Sequence, residues 1–152
     1  MSKNIMLIFT PVLIIIACLL IWRLFFYLPT SDFIKIKIAN TDYKIELASS
    51  SAQKIKGLSH RDSLCPKCGM LFIFGFETEL PFWMKDTLIP LDMIWLDKTG
   101  KIVDIKAATE INSQKIYQNE SPAQYVLELN LNDSQKLNLK IGDFIDISKI
   151  ND

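Results

Sequence analysis

Histidine occurs once, at His60, and cysteine three times, at Cys18, Cys65 and Cys68, in a chain of 152 residues. No Ser/His/Asp or Cys/His/Asn arrangement stands at recognisable spacing, and no H-E-x-x-H, P-loop or G-x-G-x-x-G signature occurs. With no recognisable catalytic constellation, enzymatic activity is not expected. Internal repeats and low-complexity tracts are also missing. Charge is nearly absent from the first thirty residues, where Lys3 and Arg23 stand alone and no acid appears. Setting those two aside leaves 15 basic residues against 17 acidic ones after Thr30, a net of −2. That balance lacks the electrostatic footprint a phosphate backbone requires, so nucleic acid is not an expected partner.

What the first thirty residues do contain is an apolar run, Ile5 to Leu28, interrupted by the single charge of Arg23. A helix rises about 1.5 Å per residue, so about 20 such residues cross a hydrocarbon core about 30 Å thick. Trp22 and Tyr27 stand near one end, where amphipathic rings favour the headgroup level, and Arg23 is close enough to that end to snorkel. A cleaved signal peptide would need a small-residue cleavage site, and no A-x-A pattern follows the run. Ile15-Ile16-Ala17-Cys18 resembles a lipobox, but the apolar stretch continues well past Cys18, where a lipoprotein turns polar. A single uncleaved span is therefore the favoured reading, with residues 1–29 as anchor and 30–152 as one domain. Lys3 and the free amino terminus favour an N-in orientation, although Arg23, Lys35 and Lys37 argue the other way. The domain is expected on the extracytosolic side of a membrane.

Beyond the run the periodicity changes to two. Ile34, Ile36 and Ile38 alternate with Lys35 and Lys37, and after Asn40-Thr41-Asp42 the sequence Tyr43, Ile45, Leu47 alternates with Lys44 and Glu46, which predicts a β-hairpin. Residues 49–58 predict a short helix, with a serine cap, Ala52, Ile55 and Leu58 on one face, and Gly57 near its end. Residues 59–69 read as a loop, and apolar strands follow from Met70. Asp97-Lys98-Thr99-Gly100 predicts the turn of a second hairpin, Gln124–Leu129 another strand, and Phe144–Ile147 a final one. The expected fold class is mainly β: a sandwich-like or partly open barrel of short antiparallel strands with one or two short helices, preceded by one transmembrane helix.

The order of several separated motifs adds to this. GMLFIF, FWMKDTLIPLDMIWLD, GKIVDI, SPAQYVLELN and KIGDFIDI together resemble the family catalogued as domain of unknown function 192, over about residues 33–148. The resemblance implies a mainly β, sandwich-like fold and, because no activity is established for the family, carries over no catalytic residue. The family tends to read Trp-Met-Lys-Asn-Thr where this chain has Asp86, and it has a Cys-Pro-rich stretch where this chain reads INSQKIYQNE.

The densest functional patch is Trp83, Met84, Lys85, Asp86, Thr87, Pro90 and Asp92. These residues could line a cleft, with Trp83 stacking on a small ligand and Lys85 pairing with an anionic group. Against that, Phe82, Trp83 and Met84 could be core, Lys85 and Asp86 a local ion pair, and Asp92 a turn acceptor. Cys65 and Cys68 form a Cys-x-x-Cys pair, read as a loop disulfide or, alternatively, as a redox pair. A thioredoxin-type site would need a βαβ setting, and the pattern lacks one. With His60 the two cysteines could also supply three ligands to zinc, one short of a closed site. No other cofactor is expected. Glu77 and Glu79, two residues apart, share a strand face but read as solvated acids. The expected function is a membrane-anchored binding or interaction module, with a thiol redox or metal-clip domain as the alternative.

Overall fold

The computed structural model describes residues 14–21 and 33–150. Residues 14–21 are helical. The remainder of the expected 5–28 span lies outside the described residues, among which no helix is long and apolar enough to cross a membrane. The chain divides into two compact units, Met1–Thr30 and Ser31–Asp152.

The second unit is mainly β. Its strands are β1 (Phe33–Ile38), β2 (Thr41–Ala48), β3 (Cys68–Thr78), β4 (Phe82–Trp83), β5 (Leu91–Leu96), β6 (Ile102–Ala108), β7 (Ile116–Tyr117) and β8 (Ala123–Asn130). Helix α1 (Ser51–Lys56) follows β2, helix α2 (Asp133–Lys136) follows β8, and a 3-10 turn occupies Ser148–Ile150. Six strands form one mixed sheet in the order β1-β2-β3-β8-β5-β6, and β4 pairs with β7 in a second, two-stranded sheet.

The first hairpin forms as the alternation predicts, but its turn is Ala39 and Asn40, earlier than the expected Asn40-Thr41-Asp42, since Thr41 and Asp42 already pair in β2 opposite Ile38 and Lys37. The next pairing departs from the expected all-antiparallel pattern: β2 and β3 run parallel, Glu46 beside Met70. Parallel neighbours require a crossover, and the chain supplies one in α1 and the loop behind it. A strand-helix-strand unit is therefore present, which corrects the reading that the sequence lacks one. Helix α1 has the expected cap: Gln53 N–H donates to the Ser50 hydroxyl, and the Gln53 side chain accepts from the Ser50 backbone in return. Its apolar face does not pack as periodicity suggests. Leu58, just beyond the helix, is buried, whereas Ile55 is 84% exposed.

Both faces of the central strands are covered, so β5 is buried along its whole length. One core gathers Met70, Phe72, Met84, Leu91, Met93, Trp95 and Val126. The other gathers Ile36 and Ile38 of β1, Ile102 of β6, and Leu71, Ile94, Leu127 and Leu129 between them. Opposite edge strands share this second core, so the sheet curls round it. The chain from Asp143 to Ile150 spans the two edges. Ile102 and Ile145 amides donate to the carbonyls of Asp143 and Gly100, and Lys149 Nζ donates to the Lys35 carbonyl. Among the described residues the expected strand at 144–147 reduces to a single bridge, Phe144 opposite Lys101. At the centre, β3 and β8 lie close: a Cβ at Gly69 would meet the Glu128 carbonyl oxygen at 2.6 Å.

Candidate functional site

Strand β4 ends in a tight turn, in which the Thr87 amide donates to the Met84 carbonyl at 3.1 Å. Asp86 takes a left-handed backbone there, φ 56°. Asn and Asp are the non-glycine residues that best tolerate that conformation, so Asp86 in place of the family's Asn preserves the turn. The turn is held from two sides. The Asn112 side chain accepts from the Asp86 amide, and the Asn112 amide donates to the Thr87 carbonyl. On the other side the His60 amide donates to the Asp86 carbonyl at 2.8 Å, which clasps the loop after α1 to the loop after β4.

Between these clasped loops lies a groove of about 340 Å³. Phe72, Phe74 and Phe82 form its aromatic wall, with Leu58, Gly57 and Thr87 beside them. The rings meet edge to face, Phe72 to Phe82 at 4.9 Å and Phe82 to the buried Trp95 at 6.2 Å between centroids. Trp95 is itself fixed by its indole N–H, which donates to the Leu80 carbonyl. Lysines 54, 56 and 85 stand at the rim. Lys85 Nζ lies 5.6 Å from the centre of the Trp83 ring, and Lys54 donates to the Ile73 carbonyl while lying over Phe74.

The structure brings Trp83, Lys85 and Thr87 to this groove and sends the rest of the sequence patch elsewhere. Trp83 is 55% exposed, and so is not core, while Met84 is fully buried. No ion pair joins Lys85 to Asp86 among the described residues. Pro90 is exposed. Asp92 is buried and accepts from the Asn132 amide and from both the amide and the hydroxyl of Ser134, the latter at 2.6 Å. It fixes the start of α2, as its reading as a turn acceptor expects. The two acids of the β3–β4 region are used separately: Glu77 accepts from the Lys98 amide and Glu79 from the Gln118 side chain.

One groove residue was not singled out by sequence reasoning. Glu128 lies on β8 between Met70 of β3 and Met93 of β5, in register with both. The same row continues to Glu46 on β2 and Lys106 on β6. Directly opposed residues share a face, so Glu128 points toward the core of Met70 and Met93 and reaches the groove between them and α1. It is 4% exposed, and among the described residues its carboxyl has no hydrogen bond or ion pair. Burial pushes its pKa up to about 8, and the Arg61 guanidinium pulls weakly the other way. Arg61 is itself engaged with Glu46 at 2.8 Å. Read as an isolated strand, Gln124, Glu128 and Asn130 mark a mainly polar face broken by Val126; the signal that Glu128 is inside is the central position of β8, visible only once strand order is known.

Cys65 and Cys68 form a disulfide, with Cα atoms 5.3 Å apart, where the crossover loop enters β3. The Cys68 amide donates to the Cys65 carbonyl, which also accepts from the Asn130 side chain. The pair thus sits at the entrance to β3, its loop residues Leu64, Pro66 and Lys67 lining a pocket together with Asn130 and with Asp133 at the start of α2. No group of three or more His, Cys, Asp or Glu side chains converges on a metal-sized site among the described residues.

Comparison with known proteins agrees with this architecture. The family model of domain of unknown function 192, described as "Uncharacterized ACR", matches residues 34–147. A solved structure of a Sinorhizobium meliloti protein, provisionally described as a transcription regulator, superposes with TM-score 0.70 at 32% identity, covering 77% of this chain and 93% of its own. A protein of unknown function from Novosphingobium aromaticivorans superposes with TM-score 0.68 at 28% identity, covering 76% and 84%. No curated protein matches the chain. The chain belongs to the family of domain of unknown function 192.

Proposed function

We propose that the domain is a binding module whose ligand site is the groove between α1 and the β4 turn, and that its ligand is a small anion with an aromatic or otherwise apolar body. The observation that carries this is the exposure of Trp83 beside a preformed phenylalanine wall under three lysines. Such walls accept apolar surface, and the lysines supply charge complementary to an acid group. One structural neighbour is provisionally described as a regulator, but the net charge of −2 after Thr30 favours a small ligand over nucleic acid here. Trp83→Ala tests the site. It is expected to weaken binding of small aromatic acids by about tenfold or more while leaving stability within about 0.5 kcal/mol, because the ring is half exposed. Unchanged affinity, read by calorimetry, would remove Trp83 from the site.

The proposal extends to location. Residues 5–28 anchor the chain and the domain faces the extracytosolic side, a reading supported by the uniform apolar run and by a disulfide, which persists in oxidising compartments. Protease added to spheroplasts is expected to digest the domain; protection would reverse the orientation. A second reading, dithiol redox chemistry at Cys65 and Cys68, is favoured by the disulfide itself. Insulin reduction by the purified protein would establish it, and its absence would leave the pair as a loop staple.

A further inference from the structure

Within the groove, the unpaired Glu128 carboxyl is the feature that an apolar site alone does not explain. Its oxygens reach the open groove and not a sealed core, so a ligand that enters must replace the hydrogen bonds water makes there. The two other acids on this face of the sheet that lie beneath the surface each have a cation beside them. Glu46 binds Arg61 at 2.8 Å, and Asp104 lies 3.2 Å from Lys106. Lys54 is turned to the Ile73 carbonyl and Lys85 to Trp83, and among the described residues none of the three rim lysines, Lys56 included, forms an ion pair with Glu128. The groove therefore presents a cationic rim, an aromatic wall and one polar atom group at the floor.

We infer that Glu128 is a ligand-contacting, specificity-determining residue, and that the ligand is an aromatic carboxylic acid carrying a hydroxyl on the far side of its ring. The ring lies against Phe72, Phe74 and Phe82, its carboxylate meets the rim lysines beside Trp83, and its hydroxyl hydrogen-bonds the Glu128 carboxyl. This rests on the binding function proposed for the groove and adds the ligand's second polar end. The elevated pKa of Glu128 is compatible with it: a neutral acid faces an anionic ligand without charge repulsion and can donate as well as accept. A site that hydrogen-bonds a hydroxyl disfavours the analogue lacking it, because the buried partner is then left unpaired.

Three probes of one shape test this on the full-length protein: 4-hydroxyphenylacetate, phenylacetate and tyramine, titrated calorimetrically at pH 7. The expected order is 4-hydroxyphenylacetate tighter than phenylacetate by about tenfold, with tyramine weakest because it exchanges the carboxylate for a cation. Glu128→Leu should abolish the preference for the hydroxyl, and Glu128→Gln, which keeps a donor and an acceptor, should retain most of it. Equal affinity for the two acids in the unmodified protein, or a preference that survives Glu128→Leu, would overturn the role of Glu128 while leaving the groove a binding site. Tightest binding by tyramine would overturn the ligand class. If none of the three binds, the binding function itself falls and the inference with it.

Discussion

Asp92 and Glu128 are both buried acids on central strands, and their surroundings separate them. Asp92 accepts three hydrogen bonds from the turn that begins α2, whereas Glu128 accepts none among the described residues. Asp92→Ala therefore leaves two amides without their acceptor and is expected to cost about 2–3 kcal/mol, measured as a shift in the urea midpoint, with ligand affinity unchanged. Loss of affinity at unchanged stability would contradict that assignment. The sequence reading grouped Asp92 with Trp83 and Lys85 because they are close in the chain. Nine residues along a strand-turn-strand path separate Trp83 from Asp92, and the β4 turn sends the two to different sides. Trp83 and Lys85 could be named as candidates from the sequence because an aromatic and a cationic residue stand close together beside an apolar run. Glu128 could not, because its meaning depends on two neighbouring strands that are far away in sequence.

At the scale of elements, local signals were reliable where the interaction is local. The Ser50–Gln53 capping box, the hairpin at Ala39 and Asn40 and the turn at Asp97–Gly100 all follow from residues within four positions of one another. The parallel pairing of β2 with β3 does not, since nothing within either strand specifies its neighbour's direction. It follows instead from the length of the connection, which passes through α1 and ends at the disulfide. That disulfide encloses only a four-residue loop, for which chain-entropy arguments give about 2 kcal/mol. Because Cys65 also accepts from Asn130 on the neighbouring β8, the staple seats the start of β3 beside β8. The double substitution Cys65→Ser, Cys68→Ser is expected to lower stability by up to about 2 kcal/mol, read as the denaturation midpoint, and to leave groove binding intact. A collapse of ligand affinity without loss of stability would instead tie the pair to function.

The stability of the whole domain should carry the imprint of its unusual acids in opposite directions. For Glu128, burial raises the pKa from 4.5 to about 8, so the folded state binds a proton more tightly than the unfolded chain does. Its contribution is fully present below pH 4.5 and is lost as the pH climbs through the interval up to about 8. Each pH unit inside that interval removes at most about 1.4 kcal/mol. Asp97 behaves oppositely: burial alone would raise its pKa, but hydrogen bonds from Thr99 and Lys101 outweigh that and hold it below the usual carboxylate value. Asp146 is likewise lowered, by the Ser148 hydroxyl and amide. Those two contributions are present above the ordinary aspartate pKa and fade as the pH falls below it. The sum places maximal stability on the acid side of neutrality, near the ordinary carboxylate range, with a decline toward pH 8. Urea midpoints measured from pH 4 to pH 9 should show that slope, and Glu128→Gln, which cannot ionise, should flatten its alkaline limb. If the variant keeps the full slope, the buried carboxyl is not what drives it. If the unmodified protein shows no loss between pH 5 and pH 8, Glu128 acquires a partner in solution that compensates its burial. The aromatic acids proposed as ligands do not supply that compensation: their carboxylate meets less repulsion while Glu128 is neutral, so ligand-induced stabilisation should be larger at pH 6 than at pH 9 and the alkaline decline steeper with ligand than without.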